Sequence, residues 1–282
     1  MSVELHGVSE TLLIPLYAQW RENRRDHPLL RDRKVDDIVG RLSPSFDKFM
    51  PSQFDRVIII LRKRVIDRIV AGHMRHNRGH AAVINLGCGL CTRFDRIDDG
   101  QVDWYDVDLG AVAPVWQAAF TGHSPRRHFV EASIDKPHCL DGIELAPETV
   151  PIVVLEGVSM YLSEDKMKAL ARRIAHRFPG ATFVFDAMAS WVALGSAFYP
   201  SIAVTGSRFS WGLDRPKSCE SWGRDFRLQQ DEPLARHLAA VYGLFGWFGR
   251  LNPMARSAYR VVVLRTGRPP SPAKPVDRGG HA

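Results

Sequence analysis

Three apolar runs of this sequence end in residues that could do chemistry. "VINLGCG" (83–89) closes on Gly87-Cys88-Gly89, "VDWYDVDLG" (102–110) on Asp108, and "VVLEG" (153–157) on Glu156. Closely spaced glycines let the backbone approach a ligand, and a helix that follows offers it free N–H groups. Asp108 lies 21 residues beyond Gly87. An acid about 20 residues on, at the end of the next strand, typically takes ribose hydroxyls. Gly-x-Gly without the third glycine of the dinucleotide fingerprint is weak by itself; with Asp108 it is a stronger signal. Asp108 could equally cap a helix over 111–120, and the two roles are compatible. Glu156 ends a very apolar run, where a carboxylate without a task would be costly. A glycine turn, a ribose acid and a second acid around one crevice suit a nucleoside-containing cofactor. On physical grounds both NAD(P) and S-adenosylmethionine qualify.

The glycine loop also holds Cys88 and Cys91. A Cys-x-x-Cys at a strand-to-helix turn is where thioredoxin-like redox proteins carry theirs. That reading would leave Asp108 and Glu156 without a purpose. Structural zinc would need a second pair, and "PHC" (137–139) offers only His138 and Cys139. No metal is expected.

These residues need elements to place them. Leu12, Leu13, Leu16, Tyr17 and Trp20 recur at helical spacing and predict a helix over 9–25, capped by Ser9, with Pro15 setting its first turn or kinking it. A short helix follows over 32–42, and a longer one from Ser52 to His76. From residue 81 the period changes. Five short apolar strands alternate with helices as far as "ATFVFDAM" (181–188), and "YRVVVLRTG" (259–267) is a late strand with "DFRLQQ" (225–230) as its neighbour. This alternation implies an α/β fold with a mostly parallel sheet, whose ligands bind beyond the C-terminal ends of the strands. The expected division is a helical cap over 1–80, a core over 81–267 with an aromatic-rich lid over 190–222, and a Pro-rich disordered tail over 268–282.

Composition narrows the class. A chain of 282 residues with 45% hydrophobic and 24% charged residues is an ordinary soluble globular protein. No apolar run is long enough for a membrane span and no secretory signal is evident, so a cytoplasmic, reduced protein without a membrane partner is expected. Residues 1–80 carry 15 Lys/Arg against 10 Asp/Glu. The basic residues are interleaved with acids ("RENRRDHPLLRDRKVDD"), which suits a salt-bridged helix surface better than a nucleic-acid stripe. No nucleic-acid partner is expected.

The chain resembles the leucine carboxyl methyltransferase family, and within it the bacterial branch of polyketide-synthesis O-methyltransferases of the tetracenomycin type. The stretches that carry the likeness are "GVSETLLIPLYAQWRENRR", "HPLLRDRKVDDIV", "LRKRVID", "VINLGCGLCTRFDRID", "VDWYDVDLGAV", "VVLEGVSMYLSED" and "IAHRFPGATFVFDAM", in the family's order over residues 7–190. The resemblance implies a class I S-adenosylmethionine-dependent methyltransferase, with a Rossmann-like seven-stranded sheet whose last strand is antiparallel. It implies that Arg62 pairs with the methionyl carboxylate, a bidentate match of guanidinium to carboxylate. Gly87 and Gly89 would approach the methionyl part, and Asp108, with Leu109 beside it, would take the ribose. Ser133 and Ile134 fall where the family contacts adenine, although an acid is usual at Ser133. Glu156 would lie near the methionyl end. The family's G-x-G-x-D-T-R reads Cys91-Thr92-Arg93 at its end here, and Thr92 with Asp95 could form a capping box in place of the missing acid.

Methyl transfer is an in-line displacement in which positioning is the main task. The sequence offers no convincing dedicated base. That favours a small-molecule carboxylate acceptor, giving a methyl ester and S-adenosylhomocysteine, over a phenol or other hydroxyl. Tyr17 and Tyr161 are the residues expected to face the acceptor, with Arg21 and Arg24 as weaker candidates. A catalytically silent cofactor-binding module is the reading of another class.

Overall fold

The strands alternate their side chains between two covered faces, as a period of two requires. Val83, Ile152, Val154, Val184, Val261 and Val263 belong to one core, and Ile84, Leu86, Val153, Leu155, Phe183 and Phe185 to the other. A computed structural model of the chain describes residues 11–46, 52–195 and 208–267. In it seven strands, β1 Ala81–Leu86, β2 Asp103–Asp108, β3 Arg127–Glu131, β4 Val150–Leu155, β5 Ala181–Met188, β6 Arg227–Pro233 and β7 Tyr259–Thr266, form one sheet. Their order is β3-β2-β1-β4-β5-β7-β6. β7 runs antiparallel to both β5 and β6, and the other pairings are parallel. This is the expected α/β sheet with its late strand reversed, and "DFRLQQ" does lead into the neighbour of that strand.

Helices cover both faces. α1 is Leu13–Asn23, α2 Arg33–Leu42, α3 Gln53–His76, α4 Arg93–Ile97, α5 Ala113–Ala119, α6 Glu164–Arg177 and α7 Ser190–Leu194, and two more helices, Ala239–Leu251 and Pro253–Ala258, precede β7. α3 lays Val65, Ile66, Val70 and Met74 on the first face. α6 lays Met167, Leu170, Ala171 and Ile174 on the second. α3 starts where the sequence indicates: the Ser52 hydroxyl accepts from Asp55 N, and Asp55 accepts from Ser52 N, each at 3.1 Å. Pro15 sits in the first turn of α1, where its missing N–H costs nothing. The Ser9 cap and the 268–282 tail lie outside the described residues, as does the 196–207 part of the 190–222 lid. Among the described residues no helix is long and apolar enough to cross a membrane.

One buried carboxylate ties the β1–β2–β3 edge together. Asp106 is fully buried in β2. Its Oδ1 accepts from Asn85 on β1 at 3.0 Å and from the Trp104 indole at 3.1 Å. Its Oδ2 accepts from the Trp116 indole on α5 at 3.1 Å and from Arg127 Nε on β3 at 2.8 Å. The Arg127 guanidinium also lies 3.8 Å over the Phe120 ring and donates to Cys91 O at 2.9 Å. Asp106→Ala should therefore destabilise the protein by about 3–5 kcal/mol, the usual result of leaving a buried charge without its partner. Urea unfolding measures this, and a loss under about 1 kcal/mol would show that the network does not hold the edge.

Candidate active site

The C-terminal ends of β1 to β5 open on a cavity of about 650 Å³. It lies where the strand order turns from β2-β1 to β4-β5, the switch point at which such sheets bind ligands. Gly87, Gly89, Asp108, Leu109, Ser133, Ile134, Glu156, Arg62 and Tyr161 all line it. Tyr17 does not.

At the glycine loop, Gly87 (φ 63°) and Gly89 (φ 48°) occupy the left-handed region. Gly87 N donates to Val107 O at 2.8 Å, so the turn stays stapled to β2. A Cβ at Gly87 would stand 2.7 Å from Val158 Cγ2, and one at Gly89 would stand 3.1 Å from Leu12 Cβ. Both positions need glycine for conformation and for space. Asp108 Oδ2 accepts from Gly89 N and Oδ1 from Leu109 N, each at 2.7 Å. It does not cap the next helix, which begins with a 3-10 turn, Gly110–Val112, lacking a side-chain cap. Burial pushes the Asp108 carboxyl up, against those two N–H groups and the Cys88 thiol. Each oxygen keeps acceptor capacity toward the cavity.

After β3, the Ser133 hydroxyl donates to Asp135 Oδ1 at 2.6 Å. Asp135 also lines the cavity and accepts from Lys166 Nζ at 3.2 Å. The acid that position 133 lacks thus stands two residues later on the same rim.

Arg62 and Glu156 meet at the end of the crevice nearest α3. Glu156 draws three cations. Its Oε1 receives Arg62 Nε at 3.1 Å and faces Lys63 Nζ at 3.5 Å, and its Oε2 receives Arg93 Nη2. Burial pushes the Glu156 carboxyl up, but Lys63, Arg93 and Arg62 outweigh burial and hold it well below the usual carboxylate range. It therefore reaches the cavity as a fully engaged anion. Arg62 Nη1 donates to Asp186 Oδ2 at 3.1 Å and to the Tyr259 hydroxyl at 2.8 Å. Among the described residues its Nη2 has no partner; it lies 3.1 Å from where a Cβ on Gly157 (φ 73°) would stand.

The two expected acceptor tyrosines part company. Tyr161 lines the cavity, packs edge-on to Phe209 at 5.3 Å and hydrogen-bonds to the Thr11 side chain. Burial pushes its phenol up to about 12. Tyr17 is a correction. Leu12, Pro15, Leu16 and Gln19 turn toward the cavity at helical spacing, so Tyr17 faces away. It stacks on Phe46 at 4.6 Å and accepts from Arg21 Nη1 at 3.2 Å. Arg24 is likewise spent on the outer surface, over Trp20 at 3.7 Å and paired with Asp36 at 3.1 Å.

The capping box expected of Thr92 and Asp95 is absent. The Thr92 hydroxyl instead donates to Asp32 Oδ2 at 2.5 Å, and Asp95 accepts from Arg127 at 3.0 Å. The four cysteines are buried free thiols. Burial raises the Cys88 thiol well above its ordinary value, which suits an inert packing role. Sequence reasoning missed Lys63, Asp186 and Tyr259. Asp186 was within reach of the argument made for Glu156, since it too is a carboxylate in an apolar strand.

The arrangement suits an adenosyl amino acid. The loop gives close backbone approach, Asp108 has spare acceptor capacity, and Arg62 keeps two guanidinium hydrogens for a carboxylate. The comparisons agree. The sequence model of the leucine carboxyl methyltransferase family matches residues 19–175. The chain is 30% identical, over 93% of its own length and 97% of the relative's, to the tetracenomycin polyketide synthesis O-methyltransferase TcmP of Streptomyces glaucescens. It is 27% identical, over 87% of itself and 88% of the relative, to the S-adenosyl-L-methionine-dependent methyltransferase dpfgK of Gibberella zeae. Among solved structures, a DUF574-family protein of Streptomyces avermitilis superposes with a TM-score of 0.55 at 12% identity, covering 89% of this chain and 96% of that one. The plantazolicin methyltransferase BamL, solved with S-adenosylhomocysteine, superposes with a TM-score of 0.51 at 9% identity, covering 93% and 98%. These two likenesses show the fold; the sequence relationships show that the chain belongs to the leucine carboxyl methyltransferase family and is an S-adenosylmethionine-dependent methyltransferase.

Proposed function

We propose that the protein is an O-methyltransferase of the polyketide type that methylates a carboxylate on an apolar small molecule, giving a methyl ester. The observation that carries this reading is the acceptor side of the cavity. Phe54, Ile58, Met160, Met188, Trp191 and Leu234 make it apolar, and among the described residues no histidine lines it. Tyr161, the phenol there, keeps its proton at neutral pH. A phenol acceptor would need a base. A carboxylic acid of pKa about 4 arrives already ionised. The similarity to a polyketide-synthesis O-methyltransferase supports the substrate class.

When bound, S-adenosylmethionine supplies an electrophilic methyl group on a sulfonium. The chain's residues bind, orient and exclude water. Asp108 accepts from the ribose hydroxyls, Arg62 Nη2 donates to the methionyl carboxylate, and Gly87 and Gly89 admit the backbone to the methionyl chain. Ser133 and Ile134 flank the adenine, with Asp135 as the acceptor for its amino group. Glu156 acts through Arg62, since both its oxygens are engaged. The Tyr161 hydroxyl orients the acceptor. The helices before residue 80 serve as the cap, with Leu12, Phe54 and Ile58 shielding the reaction from water.

Asp108→Ala should weaken S-adenosylhomocysteine binding about ten- to hundredfold, the worth of one or two hydrogen bonds to a charged group. Calorimetric titration measures it, and unchanged affinity would remove Asp108 from the site. In the parent protein the affinity should fall as the pH drops into the mildly acidic range above the ordinary carboxylate value of about 4, because protonation of a carboxyl already raised by burial removes an acceptor oxygen. Asp108→Asn should abolish that slope. The acceptor chemistry has its own test. The methylated product should gain one methylene in mass and release methanol in mild alkali; a product that resists alkali would make the acceptor a hydroxyl.

A further inference from the structure

Arg62 has five N–H donors. Nε gives its one to Glu156, and Nη1 gives its two to Asp186 and Tyr259. The two on Nη2 are left for the cavity. The clamp on Nη1 is itself closed: the Tyr259 hydroxyl, while accepting from Arg62, donates to Asp186 Oδ2. Asp186 Oδ1 accepts from Gly157 N at 2.7 Å, which fixes the turn that Nη2 lies against. Asp186 sits on β5 and Tyr259 at the start of β7. The antiparallel register pairs Asp186 with Val261 and Met188 with Tyr259, so the two are diagonal neighbours on adjacent strands. Asp186 is fully buried and Tyr259 nearly so.

We propose that Asp186 and Tyr259 are positioning residues for cofactor binding: they lock Arg62 Nη1 so that Nη2 meets the methionyl carboxylate with its orientation already fixed. This rests on the reading of Arg62 given above. A buried ion pair is a poor source of stability, because apolar packing usually does as well. What this one supplies is a single orientation for a long, flexible side chain. A guanidinium fixed before the ligand arrives loses less freedom on binding, and the affinity for a carboxylate rises accordingly. Tyr259 also lines the cavity, so the clamp and its object share one wall.

The test compares S-adenosylhomocysteine with its decarboxylated analogue by calorimetric titration, in the parent protein and in Tyr259→Phe, Asp186→Asn and Arg62→Met. Tyr259→Phe removes one oxygen and keeps the ring in its packing; it carries the test if Asp186→Asn does not fold. Each clamp variant should bind S-adenosylhomocysteine about tenfold more weakly and bind the decarboxylated ligand as the parent does. Equal weakening of both ligands would mean a merely structural role and overturn the proposal, as would no weakening of either. Arg62→Met separates the two readings. If it too fails to distinguish the ligands, Arg62 does not hold the carboxylate and both readings fall. If it distinguishes them and Tyr259→Phe does not, only the positioning role falls.

Discussion

Glu156 draws the guanidinium groups of Arg62 and Arg93 and the ammonium of Lys63 to one buried carboxylate, and much of the site depends on that meeting. Charges removed from water must find partners or cost several kcal/mol each. The pairing spreads outward from Glu156. Arg93 continues to Asp67, Asp67 to Arg96, and Arg96 to Asp32, which also receives Gln19 from α1 and Thr92 from the loop. On the other side Arg62 continues to Asp186 and Tyr259. Four cations and four carboxylates thus link α1, α3, α4, β4, β5 and the approach to α2 in one chain of contacts. Most members have more than one partner, so the charges are held as a network and not as isolated pairs.

That constraint explains how one helix serves both halves of the cavity. Phe54 and Asp55, Ile58 and Ile59, Arg62 and Lys63 line it at successive turns of α3. The early pairs are mainly apolar. The last pair is charged and is anchored at Glu156, beyond β4. Because Arg62 and Lys63 are held by the strand ends, the helix cannot slide or rotate without breaking buried ion pairs. The apolar wall therefore sits at a fixed distance from the charged end, the kind of fixed geometry an in-line displacement needs.

Much of the sheet was legible in the sequence because its signals are local. The period-two strands, the period shift after residue 80, the glycines and the acids at 108 and 156 all sit within short windows, and the structure brings them to one crevice. The parts that were not legible depend on distant partners. Arg62 is 124 residues from Asp186 and 197 from Tyr259, so no spacing rule links them. Tyr17 was misplaced for a different reason. It belongs to the right helix, but a helix has two faces, and Ile14, Pro15, Leu16 and Gln19 are the ones that turn inward.

Thr92 does not cap α4, because its oxygen is already taken by side-chain donors. It accepts from Arg96 Nη1 at 2.6 Å and from Gln19 Nε2 at 3.5 Å, while the hydroxyl proton goes to the buried Asp32 carboxylate at 2.5 Å. Arg93, the next residue, is completely buried, and its Nη1 has no hydrogen-bond partner among the described residues. The backbone turn of the glycine loop forms with a thiol, a weak acceptor, at position 91. The turn survives because it does not depend on residue 91's side chain: Gly87 N and Cys88 N hold Val107 O, and Gly89 N holds Asp108. The charge chain from Asp32 to Glu156 and the glycine loop are thus held by separate contacts, the first by buried ion pairs and the second by backbone N–H groups.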